Sequence, residues 1–463
     1  MTTGPASGRD QWRPAFHLTP ERGWINDPNG LIHWRGRWHC FSQHNPAGTV
    51  WAPMHWGHAD STDLLAWTHR PVALAPGEPY DKEGGCWSGS AAVDGETLHL
   101  LYTGASGEKC SRQSVCLASS PDGIVFTKDP ANPVIPGPPP GGTNDFRDPR
   151  VFRWHDRWRA VIGASRGGRG CVLLYESGDL RCWRRLGVLA ESDGTLGHMW
   201  ECPDIFPLGE KWILVVSPMG VPGVGSLALV GTMEEDGTRF AMKSRHLLDF
   251  GPDFYAPQTM AGPDGRRILI GWMDHWQSPE PPTVAAGWRG AMTLPRELAL
   301  LPGGAGISIS PVRELAGRRG EELGLPARAL LADLEAELEV APSATGTWTV
   351  TVRGSAEGAR GTLLVYDAAT DEVMVDPTRS GRAARGSRRM PALRADGRVR
   401  IRAVLDACSL EVFAGDPPRN AMSCLVFPEP GDEALMAGPP GPGLRVVRLS
   451  VQPLRPSAPG AGG

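Results

Sequence analysis

From Ile32 to about Leu300 the chain repeats one pattern, a short apolar or alternating segment followed by a Gly, Pro, Asn or Asp turn. Arg37-Trp38-His39-Cys40-Phe41, Thr97-Leu98-His99-Leu100-Leu101-Tyr102, Trp158-Arg159-Ala160-Val161-Ile162 and Lys211-Trp212-Ile213-Leu214-Val215-Val216 are examples. Side chains on a strand alternate between two faces, so segments of this length and period predict strands. No stretch with a 3.6-residue apolar period interrupts them. Many short strands without intervening helices predict a sandwich, barrel or propeller rather than a parallel α/β sheet.

The pattern changes between Pro311 and Glu337, where Val312-Arg313-Glu314-Leu315 and Ala327-Arg328-Ala329-Leu330-Leu331 are charged and briefly helical or irregular. Strand-like runs return at Thr347–Val352, Thr362–Tyr366, Val399–Leu405 and Leu410–Phe413, which predict a small β-sandwich. The expected organisation is a large β domain over 12–310, a linker over 311–337, a sandwich over 338–453 and a disordered Pro, Gly and Ala-rich tail over 454–463.

Composition narrows the function. A formal charge of −4 leaves no basic excess for a phosphate backbone, so nucleic acid is not an expected partner. No apolar run reaches the roughly 18 residues of a membrane span, and Met1 to Gln11 has no secretion pattern. Nine cysteines without paired CxxC spacing read as reduced thiols, which predicts a cytoplasmic protein. No His-Glu-x-x-His or calcium-loop spacing occurs, and no metal or cofactor is expected. Most of the 17 tryptophans read as core, but flat rings also stack on sugars.

Three acidic residues stand out: Asp27 in Trp24-Ile25-Asn26-Asp27-Pro28-Asn29-Gly30, Asp148 in Phe146-Arg147-Asp148-Pro149, and Glu201 in Met199-Trp200-Glu201-Cys202-Pro203-Asp204. Singly, each has a structural explanation as a turn, an ion pair or a solvated strand residue. Together they match glycoside cleavage, which takes one carboxyl group to protonate the leaving oxygen and one carboxylate to meet the developing cation. Neighbours in sequence suggest how the proton divides. Arg147 favours an ionised Asp148, whereas Glu201, between Trp200 and Cys202, is placed to keep its proton. The separations 148 − 27 = 121 and 201 − 148 = 53 approximate two units and one unit of 55 to 60 residues. Such units suit four-stranded blades around a central funnel, five of them filling the length before the linker.

In order and spacing these motifs resemble those of the glycoside hydrolase family 32 β-fructofuranosidases. Further matches are Trp56-Gly57-His58-Ala59, Trp87-Ser88-Gly89-Ser90, Asp253-Phe254-Tyr255-Ala256-Pro257-Gln258-Thr259 and Met292-Thr293-Leu294-Pro295-Arg296-Glu297-Leu298. Beyond residue 320 the resemblance rests mainly on Ser409-Leu410-Glu411-Val412-Phe413. It implies an all-β fold, a five-bladed β-propeller followed by a C-terminal β-sandwich, and retention through a covalent fructosyl-enzyme. It also implies Asp27 as nucleophile, Glu201 as general acid/base and Asp148 as the stabiliser that holds fructose hydroxyls.

Asn26, Gln43, Trp51, Ser88 and Arg147 match positions that line the family's fructose pocket. Trp272 and Trp276 resemble its tryptophan wall, with core packing an equal alternative. Trp87 stands where the family often has phenylalanine and Ala52 where many members have glycine. The expected partner is a small sugar such as sucrose, and a monomer and a homodimer fit equally. Arg166 and Arg169 are the candidates for reading a phosphorylated sugar. Rival readings are an exo-acting fructan hydrolase, a fructosyltransferase and a non-catalytic carbohydrate-binding propeller.

Overall fold

The structure, a computed structural model, describes residues 10–304, 306–382 and 386–456. Residues 457–463, most of the expected tail, lie outside that range.

The turn-punctuated segments pair with their neighbours in sequence, and each run of about four folds into one antiparallel sheet. Five such sheets follow one another up to Pro311. Their innermost strands are Gly23–Trp34, Gly85–Asp94, Phe146–Trp154, Met199–Leu208 and Tyr255–Ala261. Each innermost strand packs against that of the next sheet, and the fifth packs against the first, so the five enclose a common axis. The ring is clasped by Trp288–Arg289, a short strand from the fifth sheet's connection that pairs in parallel with Gly23 and Trp24.

The segment expected as a linker holds a 3₁₀ turn at Arg313–Arg318, and a strand already begins at Ala332. That strand, Ala332–Val340, lies inside a five-stranded sheet and buries every second residue over most of its length. Alanine and glutamate, good helix formers, mask this alternation in sequence. A six-stranded sheet faces the five-stranded one across an apolar core containing Leu334, Trp348, Val350, Tyr366 and Val412. Leu454, the first residue of the expected tail, bridges to Arg319.

Ring and sandwich meet across a buried polar seam. His17, ahead of the first strand, bonds Asp406 through Nδ1 at 2.8 Å and Glu411 through Nε2 at 2.9 Å. Arg296 of the fifth sheet donates to Glu411 and, at 2.8 Å, to Asp249. Glu411 also accepts the Leu294 N–H at 2.8 Å, and Asp406 those of Ala15 and Phe16. Burial works against the His17 charge, yet the two carboxylates overcome it and raise its pKa from 6.5 to about 9. Burial likewise pushes Asp406 and Glu411 up, but hydrogen bonds and the facing cations bring both below the usual carboxylate range.

Candidate active site

Each innermost strand slips register against its partner near its start: at Ile25/Pro28, Trp87/Gly89, Arg147/Arg150, Glu201/Asp204 and Tyr255/Gln258. Aligned on these bulges, the five strands read Asn26-Asp27-Pro28-Asn29, Trp87-Ser88-Gly89-Ser90, Arg147-Asp148-Pro149-Arg150, Glu201-Cys202-Pro203-Asp204 and Tyr255-Ala256-Pro257-Gln258. A bulge adds a residue to one strand and re-aims its side chain, and proline fits there because no ladder hydrogen bond is owed. Asp148, Cys202 and Ala256 accordingly hold left-handed φ values of 62°, 46° and 48°. Backbone strain of this kind in non-glycine residues concentrates at functional sites.

The second position of the repeat brings the acids together. Asp27 accepts from Ser88 Oγ at 2.7 Å and from Asn26 Nδ2 at 3.0 Å, so each carboxylate oxygen is held. Asn26 is itself oriented by the Trp24 indole N–H at 2.7 Å. The Cys202 thiol lies 3.6 Å from an oxygen of Asp27 and 3.6 Å from one of Asp148, and the Cys202 N–H donates to that same Asp148 oxygen at 2.9 Å. One residue of the fourth strand thus joins the acids of the first and third.

The first position supplies their partners. Arg147 grips Glu201 with Nε and Nη2, both 3.0 Å from Oε1. The Tyr255 hydroxyl donates to the other Glu201 oxygen at 2.6 Å. The remaining Arg147 donors go to Asp145 at 2.9 Å, Gln113 at 3.3 Å and Met219 Sδ at 3.3 Å. All five N–H groups of a guanidinium are therefore spoken for. The arginine expected to line the sugar pocket holds the carboxylate expected to act as acid/base.

The fourth position forms a floor beneath the acids. Asn29, Ser90, Arg150, Asp204 and Gln258 are all buried. Ser90 bridges to the third strand through the Pro149 carbonyl and the Val151 N–H, at 2.8 and 2.9 Å. Arg150 and Asp204 pair at 2.9 Å, and Asp204 accepts from Thr259 N and Oγ1 at 2.6 and 2.7 Å. Gln258 reaches the Gly89 carbonyl at 2.8 Å. These links fix the inner strands against one another where the bulges lie.

Burial raises Asp27 above its usual range; Ser88 and Asn26 oppose this, while the Glu201 charge adds to it. Burial also lifts Asp148 from 3.8 to about 7, with Arg147 pulling down and Glu201 and Asp27 pushing up. Arg147, adjacent to Asp148 along the chain, does favour its ionised form, but burial and the other two acids outweigh it, and the guanidinium's hydrogen bonds go to Glu201 and Asp145.

Among the residues expected to bind sugar, Asn26 and Ser88 touch Asp27 directly. Gln43 is buried, its amide donating to the Cys86 carbonyl at 2.9 Å. Trp51, 42% exposed, meets Trp87 edge to face with ring centres 6.1 Å apart. Trp276, 47% exposed, stacks on Trp24 at 6.2 Å. Trp272 corrects an expectation: it is fully buried against Trp24 and Trp276 and offers no face to a sugar. Arg166, a candidate phosphate reader, is paired with Glu191 at 3.5 Å, and Arg169 is exposed. Tyr255 and Cys202 were not singled out as site residues, although their place before and within an X-Pro step matches Arg147-Asp148-Pro149.

Residues 17–309 match the glycosyl hydrolases family 32 N-terminal domain, and residues 311–437 match the family 32 C-terminal domain. A sucrose-6-phosphate hydrolase of Escherichia coli is 38% identical over 443 residues, 91% of either chain. A raffinose invertase of Escherichia coli is 45% identical over 324 residues, 66% of either chain. The solved structure of a Bombyx mori GH32 β-fructofuranosidase superposes with a TM-score of 0.83 at 35% identity, covering 98% of this chain and 96% of that one.

Proposed function

The chain belongs to glycosyl hydrolase family 32, and from that premise we propose that it is a retaining β-fructofuranosidase that releases fructose from sucrose-type β-D-fructofuranosides. The observation that carries the reading is the meeting of Asp27, Asp148 and Glu201 around the Cys202 thiol and the Arg147 guanidinium.

Asp27, held by Ser88 and Asn26, attacks the anomeric C2 of the fructosyl unit. Glu201 protonates the departing oxygen and, in the second half-reaction, takes a proton from water. Arg147 and Tyr255 hold its two oxygens, so its carboxyl group keeps one orientation while it gives up a proton in the first step and takes one in the second. Asp148 faces the ring as positive charge develops. A carboxylate there attracts the ring most strongly when positive charge is fullest, so its contribution is largest in the transition state. Trp51 and Trp276 are the exposed aromatic surfaces for the sugars.

Sucrose and its 6-phosphate are the substrates that the named relatives point to, with fructans as a second class, since a Bacillus subtilis levanase is 33% identical over 96% of this chain. Nine free thiols support a reducing compartment, the cytoplasm. The test is fructose release by purified protein from sucrose, sucrose 6-phosphate, 1-kestose, inulin and levan, beside Asp27→Asn. Release from one or more, abolished in the variant, is expected. Release from none overturns the hydrolase and leaves a sugar-binding propeller.

A further inference from the structure

Arg147 serves two carboxylates. Its Nε and Nη2 face Glu201, and its Nη1 faces Asp145, a residue that opens to solvent with 37% of its side chain exposed. Gln113 Oε1 accepts from the same Nη1, and the Asp145 N–H rests on Thr143 Oγ1 at 3.2 Å. The guanidinium is therefore stretched between a carboxylate inside the site and one at its edge.

We propose that Asp145 is a positioning and charge-tuning residue for the acid/base Glu201: by sharing Arg147 it weakens that arginine's hold on the ionised form and extends activity toward higher pH. The inference rests on the reading of Glu201 given above. An arginine balanced by one carboxylate favours the ionised form of that partner strongly; balanced by two, it favours each less, and the second adds its own repulsion.

Other charges facing Glu201 are Asp27 on the first inner strand, Asp148 on the third, and, on the fifth, the Tyr255 hydroxyl backed edge-on by His275. Cys202 adjoins it on its own strand. Asp148 feels the same arginine, so removing the Asp145 charge moves Asp148 and Glu201 in one direction and both limbs of the pH profile toward acid.

Asp145→Asn keeps the side-chain oxygen that accepts from Arg147 and removes only the charge, which separates tuning from scaffolding. The experiment is kcat/KM for sucrose against pH in the unmodified enzyme, Asp145→Asn, Asp145→Glu and Glu201→Gln. The expected result is an alkaline limb displaced toward acid by about half a pH unit in Asp145→Asn, roughly a threefold loss on that limb with the acid side retained or raised. Asp145→Glu restores the original limb. An Asp145→Asn profile that keeps its limbs, whether at unchanged height or uniformly lowered, overturns the proposal. Activity in Glu201→Gln comparable to the unmodified enzyme overturns instead the acid/base reading beneath it.

Discussion

Two groups of three carboxylates in this chain are treated in opposite ways. At the seam, Asp249, Asp406 and Glu411 face two cations, His17 and Arg296, and accept further backbone N–H groups from Ala15, Phe16, Leu294 and Ser423. Asp406 and Glu411 are held ionised there. At the mouth of the ring, Asp27, Asp148 and Glu201 face Arg147 alone, and Asp145 shares it. Asp27 and Asp148 are accordingly pushed toward their protonated forms. Asp148 is as buried as the seam acids, whereas Asp27 and Glu201 are half-buried, so burial alone does not mark the site. What separates them is the balance of charge and donors: completed at the seam, left short where a substrate's developing cation is to complete it.

That contrast can be broken at either end. The largest effect is expected from Asp27→Asn: fructose release falls by about 10⁴-fold, while thermal melting shows an unchanged or higher Tm because one buried like charge is gone. A lower Tm would put Asp27 with the structural acids. Next, Arg296→Met leaves Glu411 and Asp249 buried without their guanidinium, at a cost of about 3–5 kcal/mol, read as an earlier denaturant midpoint. The enzyme that remains folded keeps its kcat.

Smaller again is Tyr255→Phe, which removes one donor to Glu201. A drop of about 10- to 100-fold in kcat is expected, since a bond to a charged group is worth about 1.5–3 kcal/mol.

The smallest effects are slopes of stability against pH. Asp148 holds its proton up to about 7 rather than 3.8, so the folded state binds more protons than the unfolded one across that window, and stability falls as pH rises through it. Asp148→Asn removes this decline. His17, raised from 6.5 to about 9, contributes stability fully below 6.5 and loses it as pH climbs to about 9. His17→Gln flattens that later decline without touching the first. Melting curves at stepped pH separate the two windows.

Much of the candidate site could be read from sequence because two of its acids directly precede proline, the third stands two residues before one, and sugar cleavage needs paired carboxyl groups. The repeat that unites the five inner strands was harder to see. It is only four residues long, and each copy carries different chemistry, from Asn26-Asp27-Pro28-Asn29 to Tyr255-Ala256-Pro257-Gln258. Sequence adjacency told only half the story at Arg147 and Asp148, since burial and two further acids from other strands outweigh the arginine. Trp272 misled for another reason: on the second strand of the fifth sheet an indole can face core or cleft, and only the position of Trp24 and Trp276 decides which. Glu411 lay in a recognised motif, but its role depends on His17 and Arg296, 394 and 115 residues away.

The clasp between Gly23-Trp24 and Trp288-Arg289 carries a consequence for biosynthesis. A nascent chain cannot fasten the ring until residue 289 has cleared the ribosome, and the seam at Glu411 waits for more than a hundred residues beyond that. Four sheets, each already able to fold on local hairpins, must meanwhile wait in the order in which they were made, their inner edges uncovered. Trp24, which orients Asn26 beside Asp27, belongs to the clasped pair, so the surroundings of Asp27 are among the last parts of the ring to be finished.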